Sequence, residues 1–179
     1  MIKDDIAKLL RKSNAMNSPK RNLQILESII ISEGWSKVPI NSIYGTSDRT
    51  MLHLAVQADV EGNFIDVIKF LIENGINVNA KDSRGNTVLH YLSSGNTGCT
   101  DSQYEIAKVI LDNGGDLSIK NDNGMPALQS TIKHSKDDYR LMRLFLMYEI
   151  SNDVLNDLEK TARVTGNTQV IELIEHNDN

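Results

Sequence analysis

The segment Gly85-Asn86-Thr87-Val88-Leu89-His90 returns imperfectly as Asp48-Arg49-Thr50-Met51-Leu52-His53 before it and as Gly124-Met125-Pro126-Ala127-Leu128-Gln129 after it. A second motif recurs beside it: Glu73-Asn74-Gly75-Ile76-Asn77-Val78-Asn79 and Asp112-Asn113-Gly114-Gly115-Asp116-Leu117-Ser118 each close an apolar run. Such internal repetition constrains the chain more than any other feature. A unit this small buries its apolar face only against its neighbours, so the units must stack into a solenoid.

The spacing of the two motifs assigns the parts of each unit. Gly75 to Thr87 and Gly114 to Pro126 are both twelve positions, so the turn between units has a fixed length. Thr50 to Gly75 is twenty-five and Thr87 to Gly114 is twenty-seven, so the variable length falls inside a unit. It sits in the polar stretches Asp59 to Asn63 and Ser94 to Ser102, which are expected to be loops. Short first helices are expected over about 50–58 and 87–93, each opening on a Thr able to accept a bond from an early helix amide. Second helices show apolar residues at helical spacing: Phe64, Val67, Ile68 and Leu71; Ile106, Val109 and Ile110; Leu141, Leu144 and Phe145. Asn-Gly at 74–75 and 113–114 supplies the left-handed residue that ends a helix.

Both ends are less regular. Ile2, Ile6, Leu9 and Leu10 form one apolar face and Leu23, Leu26, Ile29 and Ile30 another, separated by Ser18-Pro19, which fits a capping helix pair. A final pair is expected over about 153–164, with Leu155, Leu158 and Ala162 inward, and over the segment after Gly166. Tyr148 to Asn152 stands where a glycine turn would precede it.

These motifs resemble the ankyrin repeat, with its T-P-L-H-x-A signature and helix-ending N-G-A-D-V-N turn. The resemblance is strongest over residues 48–125 and covers most of 34–179. The third copy departs furthest, with Pro126 displaced by one place and Gln129 where His stands elsewhere. It implies an all-α ankyrin-repeat solenoid forming a single domain: an N-terminal helical cap at 1–47, repeats at 48–84, 85–123 and 124–152, and a C-terminal capping repeat at 153–179.

Nothing in the sequence supplies the parts of an active site. No nucleotide-binding glycine loop, nucleophile elbow or zinc-helix motif occurs. His53 and His90 share one repeat position, where the resemblance implies a structural bond across the turn between repeats. His134 and His176 have no ligating neighbours at useful spacing. Asp4-Asp5 and Asp137-Asp138 sit at expected helix starts, where negative charge suits the helix dipole. The lone cysteine, Cys99, is expected to be a structural free thiol. The basic cluster Lys8, Arg11, Lys12, Lys20 and Arg21 lacks interleaved aromatics, so it is expected to be a solvated face. Trp35 is expected to pack between the cap and the first repeat. Asn79 approximates a position that can be hydroxylated in ankyrin repeats, but Asn77 replaces the acidic residue there, and a structural role is expected.

The net charge is -5, with residues 1–49 carrying eight Lys/Arg against five Asp/Glu and the remainder eleven against nineteen. No apolar run is long enough to span a bilayer and the N-terminus lacks a secretory pattern, so a cytoplasmic monomer is expected. The resemblance implies a non-catalytic protein–protein interaction module that binds a partner protein in its concave groove. Cofactors, metals, nucleic acid and membranes are not expected. Mapped onto this chain, the variable tip positions of the family give the expected contact residues. They are Thr46, Ser47, Arg49 and Gln57; Lys81, Ser83, Arg84, Asn86 and Ser94; and Lys120, Asp122, Asn123, Met125 and Lys133. The abundance of Ile and Asn (19 and 18 copies) and the Leu-His-Tyr-Leu variant at 89–92 resemble ankyrin proteins of poxviruses and intracellular bacteria. That likeness implies a host regulatory target, through mimicry of the inhibitors of NF-κB. Two other classes stay open: a self-associating structural protein and a regulatory fragment of a larger enzyme.

Overall fold

Helices as short as those the repeat predicts are stable only when stacked, and stacking organises the chain. The computed structural model describes residues 40–41, 45–58, 64–94, 99–134 and 138–177. The expected N-terminal helix pair, its basic cluster, Trp35, Asp137 and the expected loop residues 59–63 and 95–98 lie outside the described residues. Asp101 and Ser102, expected in the second loop, already belong to a helix capped by Thr100.

After a 3-10 turn at Gly45–Ser47 come α1 (Met51–Ala58), α2 (Ile65–Glu73), α3 (Val88–Ser93), α4 (Asp101–Asp112), α5 (Ala127–His134), α6 (Arg140–Leu146), α7 (Asn152–Thr165) and α8 (Thr168–Asn177). Among the described residues there is no β-strand, and Lys120 and Pro126 form an isolated antiparallel bridge. The odd helices form one layer, α1 on α3, α3 on α5 and α5 on α7. The even helices form the other, α2 on α4, α4 on α6 and α6 on α8, and each odd helix packs on the even helix that follows it. This is the expected all-α solenoid.

The repeat positions set the core. Leu52, Leu89 and Leu128 are equivalent and all fully buried, as are Ile68, Ile110 and Phe145 in the second layer. Each such side chain contributes roughly 1.5–3 kcal/mol of burial, which offsets the poor intrinsic stability of a six-residue helix such as α3. Two expected core positions are only half-buried: Val109 and Leu155. In α7 the inward stripe is Val154, Leu158 and Ala162, at steps of four, and this leaves Leu155 at its edge. Phe64 is buried but precedes α2 as its N-cap.

α2 and α4 end alike. Gly75 (φ +84°) and Gly114 (φ +85°) donate to the Ile72 and Leu111 carbonyls at 3.0 and 3.1 Å, while Ile76 and Gly115 reach back to the Leu71 and Ile110 carbonyls. These paired bonds satisfy carbonyls that the helix ends would otherwise leave open. Asparagines then tie successive turns together. Asn79 donates to the Gly114 carbonyl at 2.8 Å and accepts from the Asp116 amide at 2.8 Å; Asn41 does the same toward Gly75 and Asn77. With both ends of its amide engaged, Asn79 is a staple between repeats.

The Thr-His pair closes each junction. The Thr87 amide donates to His90 Nδ1 at 3.1 Å, and the Thr50 amide to His53 Nδ1 at 3.2 Å. An acceptor at Nδ1 places the ring proton on Nε2, which donates to the Met125 carbonyl at 3.0 Å from His90 and to the Asn86 carbonyl at 3.1 Å from His53. Each imidazole thus caps its own helix and fastens the next hairpin. Third-repeat chemistry changes consistently. Pro126 has no amide to satisfy, so the histidine is dispensable, and Gln129 instead donates to Thr161 Oγ1 on α7 at 2.7 Å. The hairpin before it remains regular, with the Asn121 amide bonded to the Met125 carbonyl at 3.0 Å as Asp82 is to Asn86 at 2.9 Å.

Hairpin tips join by backbone bonds, Ser83 N–H to the Ser47 carbonyl and Asp122 N–H to the Arg84 carbonyl, both 3.0 Å. The left-handed residue of each tip is Gly85 (φ +73°), Gly124 (φ +73°) or, in the first repeat, Asp48 (φ +49°). A Cβ on Gly85 would stand 2.8 Å from the Asp122 nitrogen, whereas one on Gly124 would meet nothing within 4 Å.

Two predictions follow from these junctions. Burial lowers the pKa of both His53 and His90 below 6.5; the bonds to Asn86 and Met125 and the charge of Asp82 oppose it, while Arg49 and Lys81 respectively add to it. Between the folded value and 6.5 the unfolded chain binds more protons, so stability is complete above pH 6.5 and falls as the pH drops through that window. Urea unfolding midpoints at pH 7.5, 6.5 and 5.5 should decline in that order, and a flat series would contradict the neutral, doubly bonded imidazoles. In the hairpins, Gly124→Ala should cost about 1 kcal/mol for its backbone alone and Gly85→Ala about 3 kcal/mol because a clash is added. Asp48→Gly should leave stability unchanged or raise it by up to about 1 kcal/mol, all read by urea unfolding at pH 7.5.

Candidate functional site

Where the odd helices meet the hairpins, the solenoid opens a cleft of about 270 Å³. Five expected contact residues line it: Arg49, Gln57, Arg84, Asn86 and Ser94, together with His90 and Tyr91. Two successive repeats contribute, so stacking creates the cleft and neither unit holds it alone.

Tyr91 organises its floor. Placed on α3 directly after the junction histidine, it is half-buried, and its hydroxyl donates to Asp82 Oδ2 at 2.7 Å and accepts from Arg49 Nε at 3.0 Å. The Arg49 guanidinium lies 5.6 Å from the Tyr91 ring centre, and His53 meets the same ring edge-on at 5.4 Å. Burial raises the Tyr91 pKa and the bond to Asp82 adds to the rise, with Arg49 opposing it. Asp82 is buried, which by itself would raise its pKa. Bonds from Tyr91, from the Arg84 and Asn86 amides (both 2.8 Å) and from the Asn86 side chain win, and the carboxylate is held below its usual value. Asp82 is therefore a charged organiser of the second hairpin. Asn121 holds the equivalent place in the third, accepting from the Asn123 and Met125 amides.

The remaining contact positions divide by what the scaffold asks of them. Thr46, Lys81, Ser83, Asp122 and Asn123 are exposed on the tips. Ser47 is half-buried and lends its carbonyl to the hairpin ladder. Asn86 accepts from the Asn121 side chain at 3.0 Å and gives its carbonyl to His53, so it serves the junction as well as the cleft. Met125 is half-buried, its carbonyl taken by His90. Lys120 is ion-paired with Asp157 at 3.4 Å, so its charge is compensated. The side chain of Lys133 lies outside the described residues. Asp82 and Tyr91 were missed from sequence. The signal available was positional, since Asp82 and Asn121 stand 39 apart, the same step as Gly85 and Gly124.

A larger cavity, about 510 Å³, lies on the other layer between α6 and α8. Its Arg140 and Asp138 are spent on the scaffold. Arg140 pairs with Asp101 at 2.6 Å and with Asp138 at 3.0 Å and also bonds the Cys99 carbonyl, which ties the loop before α4 to the start of α6. The bond from Arg140 holds the Asp138 carboxyl down to about 2 against the opposing effect of burial, and burial pushes the Cys99 thiol up to about 11. A thiol so disposed is a weak nucleophile. Among the described residues no three His, Cys, Asp or Glu side chains gather as metal ligands, and no helix is long and apolar enough to cross a membrane.

Comparison with known proteins agrees with this architecture. A family model described as ankyrin repeats in three copies matches residues 13–102, and one for the single ankyrin repeat matches 84–122. A putative ankyrin repeat protein of Rickettsia felis is 30% identical over 123 residues, 69% of this chain and 52% of that protein. One from fowlpox virus is 29% identical over 107 residues, 60% of this chain and 22% of that protein. The chain thus spans about a fifth to a half of the lengths of these two relatives. Among solved structures, the ankyrin repeat domain of Bcl-3, a member of the IkappaB protein family, superposes with a TM-score of 0.51 at 20% identity, covering 66% of this chain and 44% of that one. At that identity the likeness is one of fold.

Proposed function

The chain belongs to the ankyrin-repeat family, whose repeats generally mediate protein–protein binding, and on that premise we propose that it is a non-catalytic module whose partner protein sits in the groove between the hairpins and the odd helices. The observation that carries this reading is the cleft itself, where side chains from two repeats converge on a surface that the core does not need. Gln57, Arg84 and Ser94 are exposed there, and substitution at such positions leaves the buried junctions intact. Catalysis would require convergent titratable groups at a substrate-sized pocket. In this cleft the titratable groups are His90, whose nitrogens are both bonded within the scaffold, Tyr91, bonded to Asp82, and two arginines.

A host regulatory protein as target is supported by the sources of similar chains, a poxvirus and a Rickettsia. The buried free thiol of Cys99 fits action in a reducing, cytosolic compartment. Mimicry of NF-κB inhibitors draws on the Bcl-3 domain only for the shape of the scaffold.

Affinity capture from animal-cell lysate tests the reading. The parent chain is run beside Gln57→Ala/Lys81→Ala/Arg84→Ala on the groove and Lys108→Ala/Arg143→Ala/Glu172→Ala on the opposite layer, all exposed positions and all shown folded by circular dichroism. A protein kept by the parent and the second variant, and lost from the first, is the expected result. Loss from the opposite-layer variant alone would move the binding face to the even helices, and concentration-dependent dimers without any captured protein would replace the reading with self-association.

A further inference from the structure

We propose that the cleft between the first two hairpins is a carboxylate-binding site, occupied by an extended acidic segment of the partner protein whose Asp or Glu side chain is held by Arg49 and Arg84. The proposal rests on the reading of this groove as a protein-binding face and names the chemistry of what binds there.

Three observations carry it. First, among the described residues the cleft is lined by two guanidinium groups and no carboxylate. The acidic residues of the surrounding hairpins are Asp48, Asp82 and Asp122; Asp82 is buried and committed to four hydrogen bonds, and neither of the others lines the cleft. Among the described residues no carboxylate stands within salt-bridge distance of Arg49, Arg84 or Lys81, in contrast to Lys120 and Arg163, which have one each, and Arg140, which has two.

Second, Arg49 is pre-positioned. Its Nε is used on the Tyr91 hydroxyl and its plane lies near the Tyr91 ring, while its two terminal NH2 groups have no acceptor among the described residues. A half-buried guanidinium held by one edge and open at the other presents the planar fork that a carboxylate accepts in bidentate fashion. Holding the side chain before binding reduces the ordering cost of the contact.

Third, the surroundings select the source of the carboxylate. At about 270 Å³ the cleft is smaller than the roughly 300–1,000 Å³ of small-ligand pockets, so it suits one or two side chains of a longer chain. Tyr91, the single phenol or indole among its described lining residues, is occupied by Arg49 near its ring and by His53 edge-on, so among the described residues there is no free platform on which bases would stack. Asp48 and Asp122 on the flanking tips, within a chain of net charge -5, disfavour a polyphosphate track while leaving room for a local carboxylate.

Fluorescence anisotropy tests this with the full chain and a fluorescein-labelled decapeptide of alternating Glu and Thr, against the same peptide with Gln for Glu. The Glu peptide should bind roughly ten-fold tighter or more, and the difference should shrink between 50 and 300 mM NaCl. Arg49→Gln and Arg84→Gln should each weaken it by roughly ten-fold, and Lys108→Gln, on α4 away from the cleft, should not. Tyr91→Phe, which frees the Arg49 side chain, should weaken the Glu peptide and leave the Gln peptide unchanged. Should Arg49→Gln unfold, Arg84→Gln decides the matter, since the Arg84 side chain is exposed and makes no hydrogen bond among the described residues. Equal binding of the Glu and Gln peptides, cleft variants that behave like Lys108→Gln, or tighter binding of a ten-residue oligothymidylate or of inorganic phosphate at the same arginines would each overturn the proposal. If the Glu peptide fails while the groove variant still loses its captured protein, the acidic occupant is wrong and the groove reading stands.

Discussion

Two imidazoles hold this chain in register. His53 and His90 each accept a bond from the Thr that starts their own helix and donate one to a carbonyl of the following hairpin. In a fold with no sheet among its described residues, such bonds fix how one repeat sits on the next, because apolar stacking alone permits sliding and rotation. Leaving a buried amide or carbonyl without its partner costs about 1–3 kcal/mol, a large share of the stability of a small domain. The Asn41 and Asn79 staples repeat the same arrangement at the opposite end of each unit. The junction between the first two units is therefore tied at both ends of its helices, by His53 and by Asn79.

The scaffold uses more of the hairpins than a division into core and variable tip suggests. Ser47, Arg84 and Asn86 supply backbone groups to the ladder or the histidines, Asp82 folds the second hairpin around its carboxylate, and Lys120 is paired to α7. What remains free is a small set of side chains facing the cleft. Arg49 is the instructive case, since the contact that restrains it, Tyr91, also leaves the useful edge of its guanidinium open.

Much of this was legible from the order of residues. Helix ends at Asn74-Gly75 and Asn113-Gly114 and Thr at the starts of α1 and α3 follow from local rules and from counting. The structural role of the shared histidine was what the resemblance to ankyrin repeats implied. The misjudged positions were those where a local rule met a neighbour. Leu155 and Val154 are both apolar on α7, and only the face presented to α5 and α8 decides which is buried. Pro126 and Gln129 look like two separate departures from the repeat, yet a proline without an amide removes the need for the histidine three places later.

The sequence by itself determined the architecture: a period, a turn of constant length and apolar stripes at helical spacing leave stacked helix pairs as the arrangement that buries those stripes. Tertiary structure alone decided the site. Arg49 and Arg84 stand 35 positions apart, and which of the fourteen expected contact residues converge, which are committed to junctions and which keep an unpaired charge depends on distances across repeats. The physical reason is range. Helix periodicity and turn preference act over a few residues and are written locally, whereas hydrogen bonds and ion pairs between hairpins are fixed only after stacking has brought distant segments within about 3 Å.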